Sequence, residues 1–132
     1  MTVAEPASMT TREVGQQMES AACSYLARRG CELIERNYRT KGGEIDLIMS
    51  DAETLVFVEV RYRANDTHGQ PIDSITAGKR RRVLHAARSY LMRFRVQPSC
   101  RFDVVAIAGT LAEPQINWIK AAFDATGGSW SP

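Results

Sequence analysis

Apolar residues recur along the chain at two spacings, and the spacing changes with position. Over residues 12–29, Val14, Met18, Ala21, Ala22, Tyr25 and Leu26 fall three and four apart. That predicts an amphipathic helix ended by Gly30, with Thr11 as its cap. Residues 31–39 then read as a strand, Lys41-Gly42-Gly43 as a turn, and residues 44–49 and 55–62 as two more strands joined by a hairpin-length loop. The polar stretch 64–71 predicts an exposed loop. A second helix follows, with Val83, Ala87, Tyr90, Leu91 and Phe94 as its stripe, Asp73 or Ser74 as its cap and Pro98 as its stop. Residues 102–108 predict a buried strand and 115–121 a weaker terminal one. The pattern therefore predicts a single α/β domain over 12–121, a loose leader at 1–11 and a mobile tail at 122–132.

Length and composition narrow this picture without redirecting it. At 132 residues, with 44% hydrophobic and 24% charged residues, the chain is one ordinary globular domain rather than a disordered or fibrous one. Cys23, Cys31 and Cys100 form no CxxC pair, and His68 and His85 stand apart, which argues against a disulfide scaffold or zinc site. No apolar run approaches the roughly 20 residues of a membrane span, and residues 1–11 lack the apolar core of a secretion signal. The expectation is a cytoplasmic protein with no membrane partner.

Charge changes the picture more. The net charge of +2 conceals eight Lys or Arg residues and no acid between Lys79 and Arg101, so the rest of the chain carries −6. That segment is either a solvated helix face or a surface for an anionic partner.

The candidate chemistry lies in the central hairpin. Strict alternation puts Glu44, Asp46 and Ile48 on one face, and Ile45, Leu47 and Met49 on the other. In the next strand Leu55, Phe57, Glu59 and Arg61 share a face. Apolar residues on both faces of both strands predict a hairpin inside the sheet, covered on both sides. A register setting Asp46 opposite or diagonal to Glu59 brings two carboxylates to one surface. At about 4 Å and an effective dielectric of 20 such a pair repels by about 4 kcal/mol, so it wants a cation or a shared proton. Oxygen donors of this kind suit Mg²⁺. Glu19, at the border of the first helix's stripe, is a third contributor or an ordinary exposed carboxylate. Arg61 either pairs with the acids or holds a phosphate.

The order Gly43-Glu44-Ile45-Asp46-Leu47-Ile48, Val56-Phe57-Val58-Glu59-Val60-Arg61-Tyr62-Arg63, Lys79, Tyr90-Leu91 and Arg101-Phe102-Asp103-Val104-Val105 resembles the YraN family of small bacterial proteins. Glu19, Ala22, Tyr25-Leu26, Gly30, Asn37 and Arg39 extend the match. That family is similar in turn to Holliday-junction resolvases and to nucleases of the restriction-endonuclease-like fold, whose site is written as D, then E-x-K. The resemblance implies that fold, with a central mixed β-sheet flanked by two helices. It also implies metal-dependent phosphodiester cleavage, in which Asp46 and Glu59 hold Mg²⁺ or Mn²⁺ and Glu19 supplements them. Arg61 stands where the family pattern has lysine, and Met18 where the family usually has glycine. Arginine stays protonated in proteins, so deprotonation work is lost while charge stabilisation remains. Arg63, Lys79, Arg80, Arg81, Arg82 and Arg88 would carry sequence-independent backbone contacts to nucleic acid, DNA being favoured. Pairing into a homodimer is common among resolvase-like nucleases.

Three readings stay open. The first is a metal-dependent endonuclease acting on branched or structured DNA. The second is a non-catalytic nucleic-acid-binding module with a degenerate site at Arg61. The third is an adaptor whose carboxylates form only a charge network.

Overall fold

The computed structural model describes residues 9–63, 75–110 and 112–124. Its elements are α1 (Thr11–Arg28), β1 (Cys31–Thr40), β2 (Gly43–Asp51), β3 (Thr54–Arg63), α2 (Ala77–Leu91), β4 (Cys100–Gly109) and β5 (Pro114–Phe123). The five strands form one mixed sheet in sequential order, antiparallel except where β3 and β4 run parallel across the α2 crossover. This is an α/β fold with helices on both faces.

The helices form where the stripes lie, but their starts differ from the simple reading. Thr10, not Thr11, caps α1: it keeps an extended backbone, its hydroxyl accepts the Glu13 N–H, and the Glu13 side chain returns to the Thr10 N–H. The reciprocal box satisfies two otherwise unpaired donors, which Thr11 cannot do. Thr76 caps α2 by accepting the Lys79 N–H. Asp73 and Ser74 lie outside the described residues, as do residues 64–71. The second helix ends at Leu91, well ahead of Pro98. At the other end of the domain, Ala122 and Phe123 belong to β5, and Phe123 stacks on Phe102 at 5.0 Å. The domain thus continues past 121.

Each helix covers its own core. Met18, Ala22 and Leu26 of α1 pack on Leu47, Met49, Val56, Val58, Val105 and Ile107. On the opposite face Val83, Leu84, Ala86, Ala87 and Tyr90 of α2 meet Ile45, Ile48, Phe57, Phe102 and Val104. Burying each large side chain contributes about 1.5–3 kcal/mol. Gly43 sets how closely α2 sits on β2, because a Cβ there would stand 2.5 Å from the Arg82 carbonyl oxygen and 2.8 Å from the Ala86 nitrogen. Among the described residues no helix is long and apolar enough to cross a membrane.

One feature of β2 departs from strict alternation. Ile45 packs on the α2 side together with Ile48, whereas Leu47 and Met49 face α1. The strand therefore turns over at Asp46. Beside it, Asn37 of β1 lies between the pairs Arg36↔Leu47 and Tyr38↔Ile45 and adopts φ +54°, a left-handed conformation that asparagine tolerates better than most residues.

Candidate active site

The turnover at Asp46 is what opens the sheet. The β2–β3 ladder runs from Asp51↔Thr54 to Leu47↔Val58, and the next step of that register sets Asp46 opposite Glu59. There the Val60 N–H donates to Asp46 Oδ2 at 2.8 Å. Glu59 is buried, 6% exposed, with Lys79 Nζ of α2 at 3.3 Å from its Oε1.

Burial pushes the Asp46 carboxyl up to about 8, and the neighbouring charge of Glu59 pushes the same way, while the Val60 N–H opposes them. Burial is also the largest influence on Glu59 and raises it, with Lys79 and hydrogen bonding to Asp46 pulling it back. At neutral pH the two carboxyls hold fewer than two negative charges between them.

The surroundings are ionic. Glu44 reaches Arg82 at 3.4 Å and Arg39 at 3.7 Å, and its charge raises both buried acids. Glu19 of α1 has its Oε1 buried without a hydrogen-bond partner, 3.9 Å from Arg36. A cleft of about 530 Å³ joins Glu19 and Asp46 with Glu44, Lys79, Arg39, Arg12 and Asn37.

The structure brings Asp46, Glu59 and Glu19 to one region, but it assigns the nearby cations differently from the sequence pattern. The amino group beside Glu59 comes from Lys79, twenty positions away on α2, a residue expected only on the outer basic face. Arg61 and Arg63 follow Glu59 along β3, and neither is without a partner. Arg80 is drawn into the fold, donating to the Ile75 carbonyl at 2.9 Å with its Nε buried. Arg81, Arg82 and Arg88 stay on the exposed face. Glu44 is the acid that face-counting undervalues, because it reads as an alternate strand position.

No group of three or more His, Cys, Asp or Glu converges into a ready metal cluster among the described residues. The donor chemistry nonetheless fits a hard cation. Asp46 and Glu59 are oxygen donors held together at a cost in charge, and Glu19 contributes an oxygen with nothing bonded to it. A divalent ion held by Asp46 and Glu59 would relieve that cost, with water filling its remaining positions.

Residues 18–107, which span both acids and α2, match the model of a family described as Uncharacterised protein family UPF0102. The chain belongs to the UPF0102 family. A UPF0102 protein of Herminiimonas arsenicoxydans is 50% identical over 111 residues, covering 84% of this chain and 86% of that one. One from Methylibium petroleiphilum is 50% identical over 125 residues, covering 89% and 99%. Another, from Nitrosospira multiformis, is 51% identical over 116 residues, covering 88% and 97%. The YraN resemblance of the sequence is this same UPF0102 membership.

Proposed function

We propose that this UPF0102 protein is a metal-dependent nuclease of the restriction-endonuclease-like class, hydrolysing phosphodiester bonds in branched or structured DNA. The observation that carries the reading is the contact between Asp46 and Glu59, two acids on adjacent interior strands, where the ladder opens into a cleft bordered by lysine and arginine. Asp46 and Glu59 would hold Mg²⁺ or Mn²⁺, with Glu19 reaching it through the cleft. Bound there, the ion supplies charge neutralisation at the scissile phosphate and a water of lowered pKa.

The chain's own groups do the rest. The Val60 N–H fixes the Asp46 carboxylate where the β2–β3 ladder ends. Lys79 holds Glu59 and turns an ammonium toward the cleft, where it can meet a phosphoryl oxygen. Arg81, Arg82 and Arg88 line the path of the backbone on either side, a contact that weakens with salt and reads no sequence.

A binding module without turnover is the second reading, favoured by Asp46 and Glu59 being able to share a proton in place of a metal and by Arg61 standing in the lysine position of the family pattern. One experiment separates the two. Purified protein with Mn²⁺ should nick a labelled four-way junction, and Asp46→Ala should lower the rate by about 10³-fold or more while junction binding persists. Binding without nicking in the wild type establishes the module instead. Equal Mn²⁺ affinity in wild type and Asp46→Ala by calorimetry removes the metal site and with it the nuclease reading.

A further inference from the structure

Beside Lys79, the β1–β2 turn and the first half of α2 border a second, open recess of about 630 Å³. Gly42, Gly78, Lys79, Arg81, Arg82 and His85 line it. The recess depends on two adjacent glycines. Gly43 lets the turn press onto the helix backbone, and Gly42, at φ +88°, carries the chain over the His85 ring, which lies 3.7 Å from where a Cβ would stand.

Four nitrogen-bearing side chains line this recess and no carboxylate does. Two of them already lean toward the acid site, Lys79 onto Glu59 and Arg82 onto Glu44. Arg81 and His85 have no acidic partner among the described residues and are exposed. The recess and the acids therefore share a wall made of Lys79 and Arg82, while Arg81 and His85 are left to whatever enters from solvent. A guanidinium forks two oxygens of an oxyanion, an imidazole N–H serves a third, and the glycines leave backbone within reach.

We infer that this recess is a phosphate subsite of the nucleic-acid backbone, holding a phosphodiester adjacent to the one presented to Asp46 and Glu59. An anion seated there lies beside Lys79 and Arg82 without meeting Glu44 or Glu59 directly. A polymer with phosphates at regular intervals can fill the recess and cross the acids together, which an isolated anion cannot. Arg81 and His85 thereby anchor one phosphate in the recess, beside the contacts that Arg82 and Arg88 make along the stripe. The role as a substrate subsite rests on the nuclease reading; the binding itself does not.

The test is made without divalent ions, in EDTA and about 50 mM salt, using a single-stranded oligonucleotide, inorganic phosphate and an acidic peptide as probes. Backbone amide NMR of the wild type should show saturable shifts at Gly42, Gly78, Arg81 and His85 with the oligonucleotide and, more weakly, with phosphate. R81Q/H85Q should bind the oligonucleotide about tenfold less tightly and lower the dependence of log Kd on log salt by about one. Both side chains are exposed, so the variant should keep the wild-type melting temperature and spectrum, and a comparison variant, R95Q, should bind within about twofold of wild type. Shifts that do not saturate, an R81Q/H85Q affinity within about twofold of wild type, or equal binding of the acidic peptide would each overturn the subsite. Because this binding is read without metal, absence of nicking by the wild type in the separate Mn²⁺ assay would defeat the nuclease reading while leaving this result intact.

Discussion

Two aspartates of this chain occupy matching positions in the sheet and have opposite surroundings. Asp46 stands where the β2–β3 ladder stops and takes the Val60 N–H. Asp103 stands where the β4–β5 register shifts between Phe102 and Val104, and takes the Ala121 N–H at 2.9 Å. Each is a carboxylate that replaces a broken backbone pairing. Beyond that they diverge. Both oxygens of Asp103 receive Arg101 Nε at 3.1 Å, Trp118 Nε1 adds a bond of 2.8 Å, and Arg101 continues to Asp51 at 2.9 Å. Asp46 borders a cleft and has a second buried acid, Glu59, beside it. Burial of a carboxylate is thus no mark of function by itself. What separates the two is whether the fold supplies enough donors to cancel the charge.

The hardest blow to this comparison falls on Asp103. Asp103→Ala strands the indole N–H, the Ala121 N–H and a guanidinium that is only 22% exposed. Removing one partner of a buried pair costs about 3–5 kcal/mol, which lowers the melting temperature by roughly 10–15 °C for a domain of this size. Urea and thermal unfolding measure it. A loss under about 1 kcal/mol would show that Asp103 is no pin of the β4–β5 register.

Asp46 should respond with the opposite sign. In Asp46→Asn the amide oxygen still accepts the Val60 N–H while the buried charge disappears. The folded wild type holds a proton on this site up to about pH 8, whereas the unfolded chain releases it near 3.8. Folding therefore takes up a proton between those values, and wild-type stability falls as pH rises from about 4 to about 8. Below that window the proton is bound in both states; above it, in neither. Asp46→Asn should be more stable by on the order of 2 kcal/mol at pH 8 and nearly unchanged at pH 4. Parallel urea curves for the two proteins across that range would deny Asp46 its raised proton affinity.

The same contrast explains what could be read from the sequence and what could not. The stripes of α1 and α2 are legible because each repeats a local spacing, as is the interior place of the β2–β3 hairpin, because both strands carry apolar residues on two faces; the register that brings Asp46 near Glu59 is not fixed by that pattern. The turnover that sends Ile45 toward α2 is not legible, since it needs Asn37 in a neighbouring strand and a ladder that ends one residue early. Lys79 escapes for a related reason: its contact with Glu59 spans the α2 crossover and cannot be counted along a strand. Asp103 is hidden differently, as one acid in an otherwise apolar strand whose three donors come from Arg101, Trp118 and Ala121. Thr10 rather than Thr11 was within reach of the sequence, through the Thr10-x-x-Glu13 box.

The gentlest test separates field from framework. Glu44 raises Asp46 and Glu59 through space while its side chain is 41% exposed and its partners Arg39 and Arg82 are more exposed still. Pairs of this kind contribute little to stability, so Glu44→Gln should change the unfolding free energy by less than about 0.5 kcal/mol. Its effect on the acids runs through solvent and should show elsewhere. Removing a negative neighbour lowers the proton affinity of Asp46, so the pH window in which stability is lost moves downward, and about 1 M salt should shrink the difference between variant and wild type. Asp103 is wrapped by its own donors and its strand pairing should ignore both changes. A loss above about 1 kcal/mol in Glu44→Gln would put Glu44 in the framework with Asp103, and the cleft would then lose an exposed negative charge that tunes its acids.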